Sequence, residues 1–205
     1  MLIAIAFVAL VCGTAPVHLA PPPLPITLTF ASDVSPSLVR RLLDEADAVW
    51  RSSGVTFAWD TESRGTAPAT LRIVVDDERG ALSGGLAPLG WILFDGQDTP
   101  DRIIHLSYAN AVALLNESAD LGDRTSMPIA QRETYLGRAM GRALAHELGH
   151  YLLASKAHTR TGLMRGTLTA TELFSFERSR FDVTPPLCEG MLTRLFASVS
   201  TMPSP

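Results

Sequence analysis

The sequence has few cysteines and few histidines, and it has no run of basic residues. Only two cysteines occur in 205 residues, Cys12 and Cys188. Cys12 lies in an apolar N-terminal segment, so a chain that had lost that segment could form no internal disulfide. The formal net charge is −4 and Lys and Arg do not cluster, which gives no sign of a nucleic-acid surface. The sequence therefore favours neither a disulfide scaffold nor a nucleic-acid-binding protein.

A long hydrophobic run is also missing. The apolar segment Met1 to Cys12 is too short to span a bilayer as a helix. Small residues follow it, which is typical of a secretory signal cleaved between Gly13 and Ala20. No Lys or Arg precedes the apolar segment, and a retained N-terminal anchor is the alternative. We predict that residues 1–20 are a signal peptide and that the protein is secreted, to the extracellular medium or the periplasm.

The composition predicts one folded domain of ordinary size. Hydrophobic residues make up 46% of the chain and charged residues 19%, which favours a globular protein over a disordered one. We predict a proline-rich spacer at 21–25, a single domain at 26–198 and a tail at 199–205. We expect a monomer without membrane contact beyond the N-terminal segment.

Apolar periodicities predict the order strand, helix, four strands, helix. Ser35-Pro36 is typical of a helix start. A polar loop from Glu117 to Pro128 precedes the long second helix, and a last helix follows Thr184. The first predicted strand begins near residue 26. The other four are predicted at 55–59, 71–75, 91–94 and 103–108. This order predicts an α+β fold with a mixed twisted sheet, a backing helix, an active-site helix and a small C-terminal subdomain that ends in a helix.

The most informative stretch is His146-Glu147-Leu148-Gly149-His150. Two histidines four apart on a helix lie on one face, so both imidazoles can reach one metal ion. Glu147 then lies beside the metal without binding it. In this HExxH arrangement the glutamate is the general base for a zinc-bound water. Three of the five histidines fall within the thirteen residues 146–158, which argues against a chance match.

A catalytic zinc requires three protein ligands and one open position. His158 is the leading candidate for the third ligand, and Glu172 is the alternative. Continued as helix, His158 would lie about 12 Å beyond His150 along the axis. The His158 hypothesis therefore requires the helix to end between Leu153 and Lys156 and the chain to turn back.

His146, His150 and His158, followed by Gly162-Leu163-Met164, resemble the metzincin clan of zinc endopeptidases. Their pattern is HExxHxxGxxH, followed by a methionine turn beneath the metal. The resemblance implies a zincin fold, Zn²⁺ as cofactor, Glu147 as catalytic base, Met164 as the turn methionine and a peptide or protein substrate. The spacing departs from the clan's. Leu153 stands at the glycine position, and seven residues instead of five separate His150 from His158.

Two further features are weaker. Residues 84–89, Gly-Gly-Leu-Ala-Pro-Leu, resemble the segment that enters the substrate-binding edge strand of matrixin-type metzincins; a plain glycine-rich loop is the alternative. His105 has no motif around it. On an alternating strand, that favours a packed or surface residue over a metal ligand.

The leading interpretation is a secreted zinc-dependent endopeptidase that uses a metal-activated water. Two alternatives stay open at this point. One is a metal- or protein-binding module that keeps the fold without turnover, although a pure binder has no need for Glu147. The other is a zinc hydrolase of a non-peptide amide.

Overall fold

A computed structural model describes residues 22–31, 33–61, 71–80, 87–96, 98–118, 127–184 and 187–191. The predicted signal peptide and the predicted tail lie outside these described residues. Within them, no helix is long and apolar enough to cross a membrane.

A five-stranded mixed sheet forms the centre of the fold. Its strands are β1 (Leu24–Phe30), β2 (Phe57–Asp60), β3 (Leu71–Asp76), β4 (Gly90–Phe94) and β5 (Pro100–Ser107), in the order β2-β1-β3-β5-β4. All neighbours are parallel except β4, which runs antiparallel to β5 at the sheet edge. The predicted α+β class with a mixed sheet is confirmed.

β1 begins two residues earlier than the pattern predicted, so part of the predicted spacer belongs to the sheet. Pro25 lies within the strand, opposite Ala58 of β2. Leu24 donates its N–H to Thr56, so the backbone nitrogen of Pro25 points to the other side. Pairing with β3 starts only at Ile26, and the N–H that proline lacks is not needed there.

The backing helix α1 (Pro36–Trp50) forms where the sequence predicted it. The Ser35 side chain accepts a hydrogen bond from the N–H of Leu38 at 3.1 Å, and Pro36 is its first residue. A short 3₁₀ turn follows, and Gly54 ends it with a φ of 75°. The apolar face is buried: Leu38, Val39, Leu42, Leu43, Ala46, Val49 and Trp50.

The long helix α3 (Ile129–Leu153) carries the HExxH motif and lies against α1. Trp50, fully buried, donates its indole N–H to the carbonyl of Ala145 at 3.2 Å. A Cβ on Gly141 would lie only 2.6 Å from the carbonyl oxygen of Leu42. The two helix backbones therefore approach so closely that only glycine fits at this point.

Two short helices were missed by the sequence prediction. Helix α2 (Tyr108–Glu117) follows β5 directly, with the Ser107 side chain as its N-cap. Tyr108, expected in the strand, is its first residue. Helix α4 (Ala170–Phe174) begins with a capping box in which Thr169 and Glu172 bond each other's backbone. The threonines that argued against a helix here supply its cap. A helical segment also begins at 187, near the predicted last helix.

A buried charged pair joins α1, α3 and the C-terminal segment. Arg142 on α3 is fully buried, and its Nε donates to Glu45 of α1 at 2.9 Å. Arg178 binds the other carboxylate oxygen of Glu45 at 2.6 Å. The guanidinium of Arg142 also donates to three backbone carbonyls, those of Glu172, Leu173 and Glu177. The charge of Arg142 is thus satisfied by the Glu45 carboxylate and by backbone carbonyls between residues 172 and 177.

Replacing Arg142 by methionine should destabilise the fold by about 3 kcal/mol, because truncating one partner of a buried ion pair leaves the other charge and its neighbours unsatisfied. Urea unfolding followed by circular dichroism measures the change. The exposed Arg40 on α1 offers a matched control, and Arg40→Met should change the free energy of unfolding by less than about 0.5 kcal/mol. Equal effects in the two variants would show that the buried pair contributes nothing special.

Candidate metal centre

Helix α3 presents His146 and His150 on one face, as the four-residue spacing predicted. Their ring centroids lie 4.7 Å apart, and their Nε2 atoms are 3.0 Å apart. Two nitrogens that bind one tetrahedral zinc at about 2.0–2.1 Å would be separated by about 3.3 Å. The observed separation is close to that value.

Backbone carbonyls orient both rings. Nδ1 of His146 lies 2.8 Å from the carbonyl oxygen of Leu163, and Nδ1 of His150 lies 2.6 Å from that of Ser155. A carbonyl oxygen can only accept, so each Nδ1 carries the proton and each neutral ring has its lone pair at Nε2. Two lone pairs that converge at 3.0 Å repel unless a cation lies between them. The donor set therefore fits a metal ion.

Burial keeps both of these imidazoles neutral. Desolvation lowers the pKa of His146 to about 4 and also lowers the pKa of His150, against the opposing effects of the Leu163 and Ser155 carbonyls. Neutral imidazole is the form that binds a metal.

His158 joins the two helical histidines because the chain reverses directly after α3. The helix ends at Leu153, and Ala154 adopts a left-handed conformation with a φ of 46°. The predicted limits of Leu153 to Lys156 are met, with the reversal at the early end. The His158 ring centroid lies 4.9 Å from that of His150 and 5.3 Å from that of His146. A ligand nitrogen from each of the three rings lies within 4.8 Å of the others.

A tight turn at Gly162-Leu163-Met164 lies beneath the histidines. Leu163 and Met164 are fully buried. The backbone N–H of Thr159 donates to the carbonyl of Met164 at 2.8 Å, which closes the loop. A Cβ on Gly149, between the two helical histidines, would lie 2.2 Å from the sulfur of Met164. The methionine thus occupies space that any other residue at position 149 would fill.

Glu147 is held between the helix and the edge strand β4. Its side chain is buried, and burial raises its pKa to about 8, while a hydrogen bond from the Ile92 backbone opposes that rise. A Cβ on Gly90 would lie 3.2 Å from Cγ of Glu147. The absence of a side chain at Gly90 lets β4 approach the carboxylate.

Phe94 and Lys156 border the histidines at the far end of β4. The Phe94 ring stands edge-on to His150, with centroids 6.4 Å apart. The Lys156 ammonium lies 5.3 Å from the Phe94 centroid and 2.7 Å from a carboxylate oxygen of Asp98. No sequence motif marks these residues, nor the carbonyls that orient the imidazoles, so they were not predicted from the sequence.

The structure does not bring Glu172 to this cluster. Its carboxylate caps α4 by accepting from Thr169 at 2.9 Å, and it pairs with Arg165 at 3.0 Å and Arg180 at 3.5 Å. The hydrogen bond from the Thr169 backbone, together with Arg165, lowers the pKa of Glu172. Of the segment that resembles the matrixin edge-strand entrance, residues 84–86 lie outside the described residues, and 87–89 lead into β4.

No protein-family model matches the sequence, and no curated protein matches it. Among solved structures, the chain is similar to archaemetzincin from Methanopyrus kandleri. The two are 16% identical with a TM-score of 0.49, and the match covers 85% of this chain and 96% of that one.

His158→Ala should weaken the tightest zinc site by more than about 100-fold, because loss of a ligand costs more than the 10- to 100-fold typical of an outer-shell partner. Glu172→Gln should leave that affinity within about threefold. Competition with a chromophoric chelator gives both values on folded protein. A loss of zinc in Glu172→Gln together with normal affinity in His158→Ala would reverse the assignment of the third ligand.

Proposed function

We propose that the chain is a zinc-dependent endopeptidase of the metzincin type. One observation carries the proposal: a ligand nitrogen from each of three imidazoles lies within 4.8 Å of the others, and Glu147 lies buried on the helix that carries two of them. Structural zinc sites in proteins usually use four protein ligands, whereas catalytic sites keep a position open. Three imidazoles with a carboxylate at their side fit the catalytic arrangement.

His146, His150 and His158 are the residues that would hold the metal. Zinc bound there would act as a Lewis acid and make water a nucleophile near neutral pH. The Leu163 and Ser155 carbonyls keep two of the rings in the tautomer that binding needs. Met164 supports the helix backbone between the same two histidines from below.

Glu147 is the proposed acid–base group. Its position directly after His146 would put it beside the attacking water. The charge of a metal ion at the three imidazoles would oppose the rise in the pKa of Glu147, so that the ionised carboxylate takes up the proton. It then delivers the proton to the nitrogen of the leaving amine. The close contact at Gly90 and the hydrogen bond from Ile92 fix this carboxylate against the strand that would bind the substrate.

The edge strand β4 is the proposed substrate-binding element. It pairs with β5 on one side, and no described strand pairs with its other side. An extended peptide can add to such an edge through backbone hydrogen bonds, largely independent of side-chain identity. This feature favours a peptide substrate over a small non-peptide amide.

Glu147→Ala should retain the metal and lower kcat/KM for peptide cleavage by at least about 100-fold, because it removes the base and leaves the ligands. Metal content by mass spectrometry and peptide turnover are measured on one preparation. Glu117→Ala, an exposed glutamate on α2, is the control and should be fully active. Full activity of Glu147→Ala would refute the mechanism, and loss of metal would make Glu147 structural.

A proteomic cleavage-site profile of the purified protein tests the substrate class. Peptide bonds should be cut, and a chelator should abolish the cuts. Zinc binding without any peptide cleavage would favour the non-catalytic binding module. Hydrolysis of a small amide without peptide cleavage would favour the hydrolase of a non-peptide amide.

We also propose that the protein is secreted and that residues 1 to about 20 are removed, from the apolar segment and the small residues after it. N-terminal sequencing of protein from producing cells and their medium should find a new N-terminus between Gly13 and Ala20 in the medium. An intact Met1 on membrane-bound protein would support the anchor instead.

A further inference from the structure

A second group of metal-ligating side chains lies on the opposite face of the sheet from α3. It consists of Asp76 at the end of β3, Glu78 just after it, and His105 on β5. One ligand atom of each lies within 4.8 Å of the others. Two carboxylates and an imidazole form a mixed donor set, unlike the all-carboxylate clusters that are common on protein surfaces.

Strand pairing explains why these residues meet. In the parallel pair of β3 and β5, Val74 is opposite His105 and Asp76 is opposite Ser107. Alternation along a strand puts Asp76 and His105 on the same face. Ile104 and Leu106, the neighbours of His105, are fully buried on the other face. The group is thus built on two adjacent strands of the sheet.

The imidazole of His105 has a buried nitrogen that lacks a partner among the described residues. Its ring stacks on Trp91 of β4, with centroids 5.1 Å apart and an angle of 2° between the planes. Its Nδ1 is buried and has no hydrogen-bond partner among the described residues. Buried polar atoms are nearly always paired, so an orphaned imidazole nitrogen points to a missing partner. A metal ion bound by the neighbouring carboxylates would supply it.

The chain around the carboxylates is fixed by hydrogen bonds. Asp76 accepts from the Glu78 backbone at 2.9 Å with one oxygen, which holds the two acids in a short turn. The Asn110 amide donates to the carbonyls of Arg79 at 2.9 Å and Pro88 at 2.8 Å. Both sides of the connection from β3 to β4 are therefore anchored near the group.

We propose that Asp76, Glu78 and His105 form a second site, for a divalent transition-metal cation such as Zn²⁺. Imidazole nitrogen with carboxylate oxygen suits zinc and its neighbours in the series, and disfavours calcium and magnesium, which prefer oxygen alone. Water completes the coordination. The ion braces the turn after β3 against β5 and, through His105, supports Trp91 on the edge strand. Its role is structural, and the site does not depend on the peptidase proposal.

Trp91 provides a direct probe, because a paramagnetic ion on the ring stacked against it quenches its fluorescence. Ni²⁺ is titrated into metal-free full-length protein, and Zn²⁺ is then added to displace it. Quenching should reach saturation and should be reversed by Zn²⁺. The variant Asp76→Asn/Glu78→Gln keeps the shape of both side chains. It should raise the Ni²⁺ concentration at half-maximal quenching at least tenfold. Asp77→Asn, an exposed neighbour, should titrate like the unmodified protein.

Native mass spectrometry counts the ions independently of any variant of this group. Two zinc ions per chain are expected in the unmodified protein, and one should remain in His146→Ala/His150→Ala. One ion per chain in the unmodified protein, with none left after that double substitution, would overturn the proposal. So would quenching that is identical in the amide variant and the unmodified protein.

Discussion

The candidate metal centre depends on the reversal of the chain immediately after α3. Ala154 adopts a left-handed conformation, with a φ of 46°, that is usually left to glycine and costs a residue with a Cβ about 1–2 kcal/mol. His150 and Ser155 stabilise the reversal in both directions: Nδ1 of His150 bonds the Ser155 carbonyl at 2.6 Å, and the Ser155 N–H bonds the His150 carbonyl at 3.3 Å. The same imidazole thus orients its own lone pair and holds the turn that returns His158.

The turn that carries Leu163 and Met164 is held by the C-terminal segment as well as by α3. Leu163, whose carbonyl orients His146, donates its N–H to the carbonyl of Asp182 at 3.1 Å. The chain before Asp182 is fixed by the carbonyls that Arg142 binds between 172 and 177. Arg142 itself is neutralised by Glu45 on the backing helix. The buried ion pair is a costly way to stabilise a core, since an apolar pair often does as well. Here the Arg142 guanidinium also donates hydrogen bonds to three backbone carbonyls, and an apolar side chain could not replace these bonds.

Local patterns predicted most of the fold and the helical half of the site. Alternation and 3.6-residue periodicity located the five strands, α1 and α3, because each of these elements buries one continuous face. They missed α2 and α4, which are short and whose starts depend on single capping side chains, Ser107 and Thr169. The shared face of His146 and His150 was predictable from helix geometry, and the interest of Glu147 from its place in the HExxH arrangement. The carbonyl partners, Phe94 and the Met164–Gly149 contact depend on tertiary structure, so no local pattern could show them. His158 could join the other two histidines only if the helix ended between Leu153 and Lys156. Helix α3 ends at Leu153 and meets this condition.

The edge strand β4 connects the two donor groups. On the face toward α3, Gly90 leaves space for Glu147; on the other face, the next residue, Trp91, stacks on His105. Adjacent residues of a strand point to opposite faces, so a shift of β4 along β5 would disturb both contacts at once. A register slip by one residue would exchange the two faces, placing the indole against the buried carboxylate. The stacking of Trp91 on His105 therefore helps to fix the register of β4, the strand to which a peptide would add. The geometry around Glu147 thus depends in part on side chains on the opposite face of the sheet.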